Sequence, residues 1–224
     1  MFALRMAALV AATLASGLIA GVFYAYATSV MPALNQTDDK TFIDVMQRIN
    51  VVIINPWFMI GFVGTVGFSV LAAALHLGKD YRTVLIWIAV ATVLNVIAFA
   101  VTSGLNVPLN NQIANAGDVS QIADPAAVRS QFENTWVAWN IVRAVLHTLA
   151  FLVLTGALFQ AGVQHAKANA AALPAGPAGG MVTGAQPTHF GQPGRPAPQG
   201  FSAPIAYAAP VSYAPQQRFA PGLQ

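Results

Sequence analysis

Five residues of one apolar segment have side chains that can bind a ligand or move a proton. Trp136, Asn140, Arg143 and His147 lie along one narrow stripe of a helix that turns about 100° per residue, and Trp139 lies at its edge. The segment is long and apolar enough to cross a bilayer. Ionisable groups at such depth usually face a bundle interior, a wet cavity or a partner. We therefore expect the function of the chain to centre on this stripe.

These side chains suit the binding of a small molecule and the stabilisation of negative charge on it. An arginine in a low-dielectric pocket stabilises a developing oxyanion, and a histidine one turn deeper can exchange a proton near neutral pH. Aromatic walls with a few converging polar groups are typical of small-molecule sites. We predict Arg143, Asn140 and His147 as catalytic residues. The predicted substrate-binding residues are Trp136, Trp139, Asn50, Asn55, Asn106 and Asn110.

Each of these side chains also has a purely structural interpretation. The tryptophans could form a belt at the membrane interface. Arg143 could extend to the lipid head groups or pair with Glu133 or Asp44. His147 could be a buried neutral histidine that is hydrogen-bonded to a carbonyl group.

Motifs for metals and phosphates are missing from the sequence. It has no His-x-x-x-His, no Glu-x-x-His, no glycine-rich phosphate loop and no nucleophile elbow. A haem site would need more than the single candidate His147. We therefore expect no metal ligands and no cofactor.

The composition is that of an integral membrane protein. Of the 224 residues, 56% are hydrophobic and 8% are charged, whereas a soluble domain has about 25% charged residues. The formal charge of +3 is too small and too dispersed for nucleic-acid binding. The chain has no cysteine, which excludes disulfides, thiolate metal sites and cysteine nucleophiles. The lipid bilayer is thus the first partner that the sequence predicts.

Four apolar runs are long enough to cross a bilayer, which needs about 20 residues per helix. They cover approximately residues 6–30, 56–77, 83–103 and 136–163. We predict an all-α fold over residues 1–165: a four-transmembrane-helix bundle with short amphipathic helices in its outer loops. Asn55 as N-cap and Pro56 at the first helical position are a start signal for the second span.

Two long connections, 31–55 and 104–135, lie on the predicted outer side of the membrane. The first contains an amphipathic pattern that indicates a short helix capped by Thr37 or Asp38. Gly104 is expected to end the third span, and Asp124-Pro125 to start a short helix that leads into the fourth.

The distribution of basic residues gives an orientation. Four of them flank the predicted inner side and three the outer side, and excess Lys and Arg favours the cytoplasm. We predict a multi-pass protein of the plasma membrane with both termini in the cytoplasm.

Residues 166–224 form a tail of different composition. From Ala168 onward the chain has ten of its 14 prolines and no acidic residue. Such a segment cannot bury enough apolar surface to offset its chain entropy, so we predict that it is disordered. Its late tyrosines and phenylalanines could bind a protein partner.

Several motifs in order carry a family resemblance that covers about residues 6–163. They are Gly21-Val-Phe-Tyr-Ala-Tyr-Ala-Thr-Ser-Val-Met31-Pro32-Ala-Leu34, Met46-Gln47-Arg-Ile-Asn50, Asn55-Pro56, Asn106-Val-Pro108-Leu-Asn110 and Trp136-Val-Ala-Trp139-Asn140-Ile-Val-Arg143. As a set they resemble the anthrone oxygenase-like family of four-helix membrane proteins. Arg143 and Asn140 lie within these motifs, whereas His147 is predicted from helical geometry alone.

The resemblance implies a function. Characterised members of the family are fungal polyketide-pathway enzymes that oxidise anthrones to anthraquinones with O₂ and no evident cofactor. For this chain it implies a pocket for a hydrophobic aromatic or quinone-like molecule, with cofactor-free oxidation as an extension. The alternative hypothesis is a non-enzymatic scaffold or accessory subunit that recruits a partner through its Pro-rich tail. A transporter is disfavoured because the sequence has no internal repeat and no acidic residue within a span.

Overall fold

The computed structural model describes residues 1–172, and all their secondary structure is helical. In chain order the helices are α1 (Phe2–Ala25), α2 (Met31–Asn35), α3 (Asp39–Val52), α4 (Pro56–Leu75), α5 (Arg82–Val101), α6 (Val107–Asn115) and α7 (Pro125–Ala172). Residues 166–172, expected in the tail, form the end of α7. The rest of the predicted tail, and with it the proposed protein-partner site, lies outside the described residues.

The four long helices form the predicted bundle. α1 packs against α4 and α7, and α5 packs against the same two helices, so α1 and α5 occupy opposite corners. Four continuous segments are long and apolar enough to cross a membrane: Phe2–Asn35, Pro56–Leu75, Lys79–Asn115 and Pro125–Ala172. The all-α, four-span prediction is therefore confirmed.

Three of these segments are longer than the bilayer requires. They have 34, 37 and 48 residues, whereas about 20 residues cross the hydrocarbon core. α2, α6 and the start of α7 thus extend the bundle at one end, where α3 packs between α6 and α7. Together they cap that end of the bundle.

Local capping explains where α3 and α4 begin. The Asp38 carboxylate accepts a hydrogen bond from the Thr41 backbone N–H at 3.0 Å, and the Thr41 hydroxyl and N–H lower the pKa of Asp38. The Asn55 Oδ1 accepts from the Phe58 N–H at 3.0 Å, with Pro56 at the first helical position. Both arrangements satisfy backbone donors that a helix start leaves open. The predicted α3 helix and the predicted start of α4 are confirmed.

Two other boundaries differ from the prediction. Gly104 does not end the third span, because the chain continues through a π-helical turn, Thr102–Asn106, directly into α6. The first span likewise continues through a π-helical turn, Tyr26–Val30, into α2. The expected loop 104–135 is consequently helical except for a short connection, and Pro125 begins one continuous helix instead of a separate short one.

A proline follows each π-helical turn and accounts for it. Proline has no N–H, and its ring clashes with the carbonyl group four residues earlier in an α-helix. For Pro32 and Pro108 these carbonyls belong to Thr28 and Gly104, which both lie inside the π-helical turns. Widening the turn removes the clash, so the helix continues where an α-helix would kink or stop. Such turns are rare and frequently occur at functional sites.

The core is divided into three apolar layers along the bundle. The layer nearest the start of α1 contains Leu9, Ile88 and Leu154. The middle layer is small and is built around Ile19, Phe23, Phe62 and Ala144. The third lies under the cap and contains Phe42, Met46, Ile113, Phe132 and Trp136. The polar residues of the predicted stripe lie along α7 between these layers.

Candidate functional site

A cavity of about 420 Å³ lies beneath the cap, between α1, α3, α4, α6 and α7. Its size is within the range of roughly 300–1,000 Å³ that is common for small-molecule sites. The wall is mostly apolar. Its polar side chains are Tyr26, Gln47, Asn50, Thr102, Asn110, Asn111 and Arg143.

The mouth of the cavity lies at the turn between α3 and α4. Val51 and Ile54 line the cavity although they are 75% and 71% exposed. Met59, one turn into α4, also lines it and is partly exposed. The entrance is therefore surrounded by apolar side chains.

Arg143 is buried in the cavity wall, with 5% of its surface exposed. Its Nε and Nη2 donate to the Asn140 Oδ1 at 3.3 and 3.1 Å. The guanidinium lies 4.0 Å from the centre of the Phe23 ring and 5.1 Å from that of Trp136. Such cation–π contacts are strongest where water is excluded. Within residues 1–172 it has no carboxylate partner.

The structural alternatives for Arg143 do not hold. Glu133 pairs with Arg129 at 2.7 Å, and Asp44 pairs with Arg48 at 2.9 Å. Burial also excludes an extension of Arg143 into the head groups. The bundle therefore holds a positive charge beside a cavity without neutralising it.

Asn140 orients this arginine. It is fully buried, and its Nδ2 donates to the Phe23 carbonyl of α1 at 3.0 Å. Because that carbonyl only accepts hydrogen bonds, the amide oxygen must face Arg143. Asn140 thus connects α1 to α7 and directs its dipole at the guanidinium.

Trp136 is held by the asparagines of α6. Its Nε1 donates to the Asn110 Oδ1 at 2.7 Å, and the Asn106 Nδ2 donates to the Trp136 carbonyl at 3.2 Å. The Asn50 Nδ2 of α3 donates to the Asn110 carbonyl at 3.3 Å. Trp136, Asn50 and Asn110 line the cavity, whereas Asn106 is buried behind it and its Oδ1 has no partner within residues 1–172. The sequence-predicted set thus includes both lining and supporting residues.

Two predicted substrate-binding residues lie away from the cavity wall. Asn55 serves as the N-cap of α4, and Trp139 is half-buried on another face of α7. Trp57, at the start of α4, is 87% exposed, as an interfacial tryptophan would be.

His147 is fully buried one turn from Arg143, in a polar network at the centre of the bundle. Its Nδ1 lies 3.0 Å from the Asn95 Oδ1, and the Asn95 Nδ2 lies 3.0 Å from the Ser16 Oγ and 3.1 Å from the Thr65 carbonyl. The network therefore joins α1, α4, α5 and α7.

This network determines the tautomer of His147. The Asn95 Nδ2 must face the Thr65 carbonyl, so the Asn95 Oδ1 faces the imidazole and the His147 Nδ1 carries the proton. The Nε2 atom is then a bare acceptor without a partner among residues 1–172. His147 does not line the cavity, and the Phe23 ring lies beside both it and Arg143, 5.6 Å from the imidazole centre. Its predicted catalytic role stays a prediction.

The sequence interpretation did not select several lining residues. Phe23 comes from α1 and Tyr26 from the π-helical turn that follows it, and Gln47 and Asn111 extend the polar group of Asn50 and Asn110. Two signals could have pointed to them. Tyr26 opens the turn before Met31-Pro32, and Asn111 belongs to the run of asparagines after Pro108. Among residues 1–172, no group of three or more His, Asp or Glu side chains is placed to hold a metal ion.

A comparison with family models finds a match to part of the chain. The model described as anthrone oxygenase matches residues 55–153, which include Asn110, Trp136, Asn140, Arg143 and His147. No curated protein and no solved structure matches the chain. The resemblance carried by the motifs is thus confirmed for the segment that holds the buried arginine. The similarity of this chain to the anthrone oxygenase family therefore extends over residues 55–153.

Proposed function

We propose that the cavity binds a hydrophobic aromatic or quinone-like molecule and that Arg143 stabilises negative charge on one of its oxygen atoms. The observation that carries the proposal is a buried guanidinium on the wall, bound to an amide oxygen and lacking a carboxylate partner within residues 1–172. In a site without water, such a charge stabilises an oxyanion more strongly than it would in solution. The apolar wall and the Trp136 indole suit a flat ring system.

The reaction proposed at this site is oxidation by O₂ without a cofactor, as the family match suggests. An anthrone has an acidic methylene group beside a carbonyl. Loss of one proton gives an electron-rich anion that can reduce O₂ and combine with it to form a hydroperoxide. Loss of water then leaves a second carbonyl, so one oxygen atom enters the product and the other leaves as water. The protein needs to bind the rings, accept the proton and stabilise the anion.

Each predicted catalytic residue has a role in this proposal. Arg143, oriented by Asn140, holds the substrate oxygen through the guanidinium N–H groups that Asn140 does not occupy. His147 accepts the methylene proton at Nε2, the ring nitrogen without a partner among the described residues. The Phe23 ring lies next to His147 and must turn aside for this transfer.

We also propose that both termini lie in the cytoplasm and that the protein is in the plasma membrane. The charge distribution supports this orientation, with four basic residues against three. In this arrangement the cap and the cavity face the outer leaflet.

The test is oxygen uptake with an anthrone as substrate. Purified protein should accelerate the uptake, and Arg143→Ala should lower kcat by about 10²–10³-fold, as removal of an oxyanion donor does in other enzymes. Arg143→Lys keeps the charge but cannot repeat the guanidinium geometry, so it should give an intermediate rate. Arg48→Gln removes an exposed arginine from the same protein and should retain the wild-type rate. Equal rates for wild type and Arg143→Ala would overturn the proposed oxidation.

Binding is measured separately from catalysis. A bound aromatic ligand should quench the fluorescence of Trp136, and the quenching should be lost in Trp136→Phe but retained in Trp57→Phe, whose indole is exposed. Quenching without oxygen uptake would show that the protein binds the aromatic ligand but does not oxidise it. Absence of saturable quenching would contradict the ligand site itself.

A further inference from the structure

A second cavity, also of about 420 Å³, lies at the opposite end of the bundle. It is formed by the start of α1, the end of α4, the turn before α5 and the last part of α7. Ends of membrane-crossing helices lie at the level of the lipid head groups. Its polar side chains are Arg5, His76, Asp80, Tyr81, Gln164 and His165.

Two contacts hold the Arg5 guanidinium in this cavity. Its Nε donates to the Leu75 carbonyl at 2.7 Å, and the guanidinium stacks 4.0 Å from the centre of the Tyr81 ring. Within residues 1–172, the terminal N–H groups make no hydrogen bond and no carboxylate lies within 4.0 Å. A fixed guanidinium with unused donors is a binding group for phosphate.

Acceptors in the same cavity also lack donors. Asp80 lines it and makes no salt bridge among the described residues. The Gln164 Oε1 is buried and has no hydrogen-bond partner there. Buried polar atoms in native proteins are nearly always bonded, so one without a partner points to a bound group. Among the described residues, Arg5 makes no salt bridge with Asp80 and no hydrogen bond with the Gln164 Oε1.

His76 adds a further polar atom. It is only 2% exposed yet lines the cavity, and its Nδ1 donates to the Ala72 carbonyl at 2.7 Å. The opposite ring nitrogen is thereby left for a ligand, as an acceptor in the neutral form. The wall also has apolar members such as Phe2 and Met6, which suit a molecule with a hydrophobic part.

We infer that this cavity binds a zwitterionic phosphate ester that carries a primary ammonium group, the chemistry of a phosphoethanolamine head group. Arg5 holds the phosphate, and Asp80 with the Gln164 Oε1 accepts from the ammonium. A choline head group has no N–H for Gln164. A purely anionic head group has no cation for Asp80. The inference is independent of the function proposed for the first cavity.

The test measures lipid selectivity by native mass spectrometry. Full-length protein is equilibrated with equal amounts of phosphatidylethanolamine, phosphatidylcholine and phosphatidylglycerol that have identical acyl chains. The wild type should retain phosphatidylethanolamine about tenfold better than the other two, as one charge-assisted hydrogen bond allows. Arg5→Gln should lower that retention by at least about tenfold. Asp80→Asn should reduce it to the level of phosphatidylcholine.

The controls separate a ligand site from an interfacial ring of charges. Arg48→Gln makes the same change as Arg5→Gln at an exposed position near the first cavity and should keep wild-type selectivity. Asp80 is exposed, so Asp80→Asn leaves the bundle folded even if Arg5→Gln does not. Equal retention of the three lipids by wild type, or unchanged selectivity in Asp80→Asn, would overturn the inference.

A further arm identifies the source of the ligand. Soluble phosphoethanolamine is added to the lipid-loaded protein. If soluble phosphoethanolamine displaces the lipid at a concentration comparable to that of the lipid, the natural ligand is the free ester. Resistance to displacement assigns the site to the membrane lipid, and both results support the same chemistry.

Discussion

An amide oxygen, rather than a carboxylate, faces the guanidinium of Arg143. A buried arginine is most often paired with an acid, because an unpaired charge is costly in a low dielectric. Here the Phe23 and Trp136 rings and the Asn140 dipole supply the compensation. None of these groups carries a negative charge, so none of them cancels the charge of Arg143.

This arrangement predicts the effect of Asn140→Asp, which replaces the side-chain NH₂ group by an oxygen atom. The carboxylate would form a salt bridge with Arg143 and neutralise it, and the Phe23 carbonyl would lose the donor that the Asn140 amide now supplies. We expect kcat for oxygen uptake to fall by about ten- to a hundredfold, toward the value of Arg143→Ala, although the guanidinium stays in place. Asn134→Asp, an exposed site on the same helix, should have no effect. A wild-type rate for Asn140→Asp would show that the charge is not used.

The sequence pointed to Asn50, Asn110, Trp136 and Arg143, which line the cavity, but not to the lining residues Phe23 and Tyr26 of the first long segment. Asn140 and Arg143 are three residues apart, so helical geometry alone places them together. Phe23 and Tyr26 lie more than a hundred residues away in the chain, and only the packing of α1 against α7 brings them to Arg143. The local sequence pattern around Arg143 does not predict that contact. The same limit applies to His147, whose partner Asn95 lies on α5.

At the scale of elements, both π-helical turns begin at the cavity. Tyr26 and Thr102, which open these turns, line its wall. A π-helical turn rotates the chain that follows relative to a continuous α-helix. The turn Thr102–Asn106 ends with Asn106 hydrogen-bonded to the Trp136 carbonyl, and Asn110 in the following α6 accepts from the Trp136 indole. The turns therefore position the side chains of the site.

Pro108→Ala tests this role. The new N–H could bond to the Gly104 carbonyl, so residues 102–106 should relax toward an α-helix. The hydrogen bonds of Asn106 and Asn110 to Trp136 would then be lost, and ligand affinity measured by quenching should fall about tenfold.

Hydrogen exchange of residues 102–106 checks the structural change that Pro108→Ala should produce. Pro125→Ala is the matched control, because Pro125 is at the first position of α7, where the N–H is not needed. Unchanged ligand affinity in Pro108→Ala would show that the π-helical turn does not position the side chains that bind the ligand.

Start signals were predictable where a few neighbouring residues decide them. Asn55-Pro56 and Asp38 are caps whose partners lie three residues away, and both form as expected. Gly104 failed as a stop signal for the opposite reason. Before Pro108 the helix can either stop or continue through a wider turn. The packing of α6 against α3 and α7 decides between the two. Local propensity carries no information on that packing.

At the scale of the whole molecule, the two cavities lie at opposite ends of one bundle, and the His147–Asn95 network lies at its centre. The network connects α1, α4, α5 and α7 through hydrogen bonds between fully buried side chains. Its loss would leave several buried polar atoms unsatisfied at a cost of roughly 1–3 kcal/mol each. The two cavities can therefore bind different ligands while the His147–Asn95 network stabilises the bundle between them.

Orientation can be tested with single cysteines, because the natural chain has none. Gln121 lies in the cap and Lys79 lies beside the second cavity, and both are exposed. A membrane-impermeant maleimide added to intact cells should label Gln121→Cys. It should label Lys79→Cys only after the membrane is permeabilised. The reverse pattern would place the termini outside and contradict the proposed orientation.

The exposed apolar mouth at the turn between α3 and α4 has a consequence for enzymology. For the proposed oxidation, an entrance lined by the exposed Val51 and Ile54 would admit a hydrophobic substrate from the lipid rather than from water. Substrate supply would then follow its mole fraction in the membrane, set by partitioning, and not its molarity in the buffer. Extra inert lipid at constant total substrate would slow turnover by surface dilution. A KM expressed in micromolar would depend on how much membrane is present, so variants are comparable only at a fixed ratio of lipid to protein.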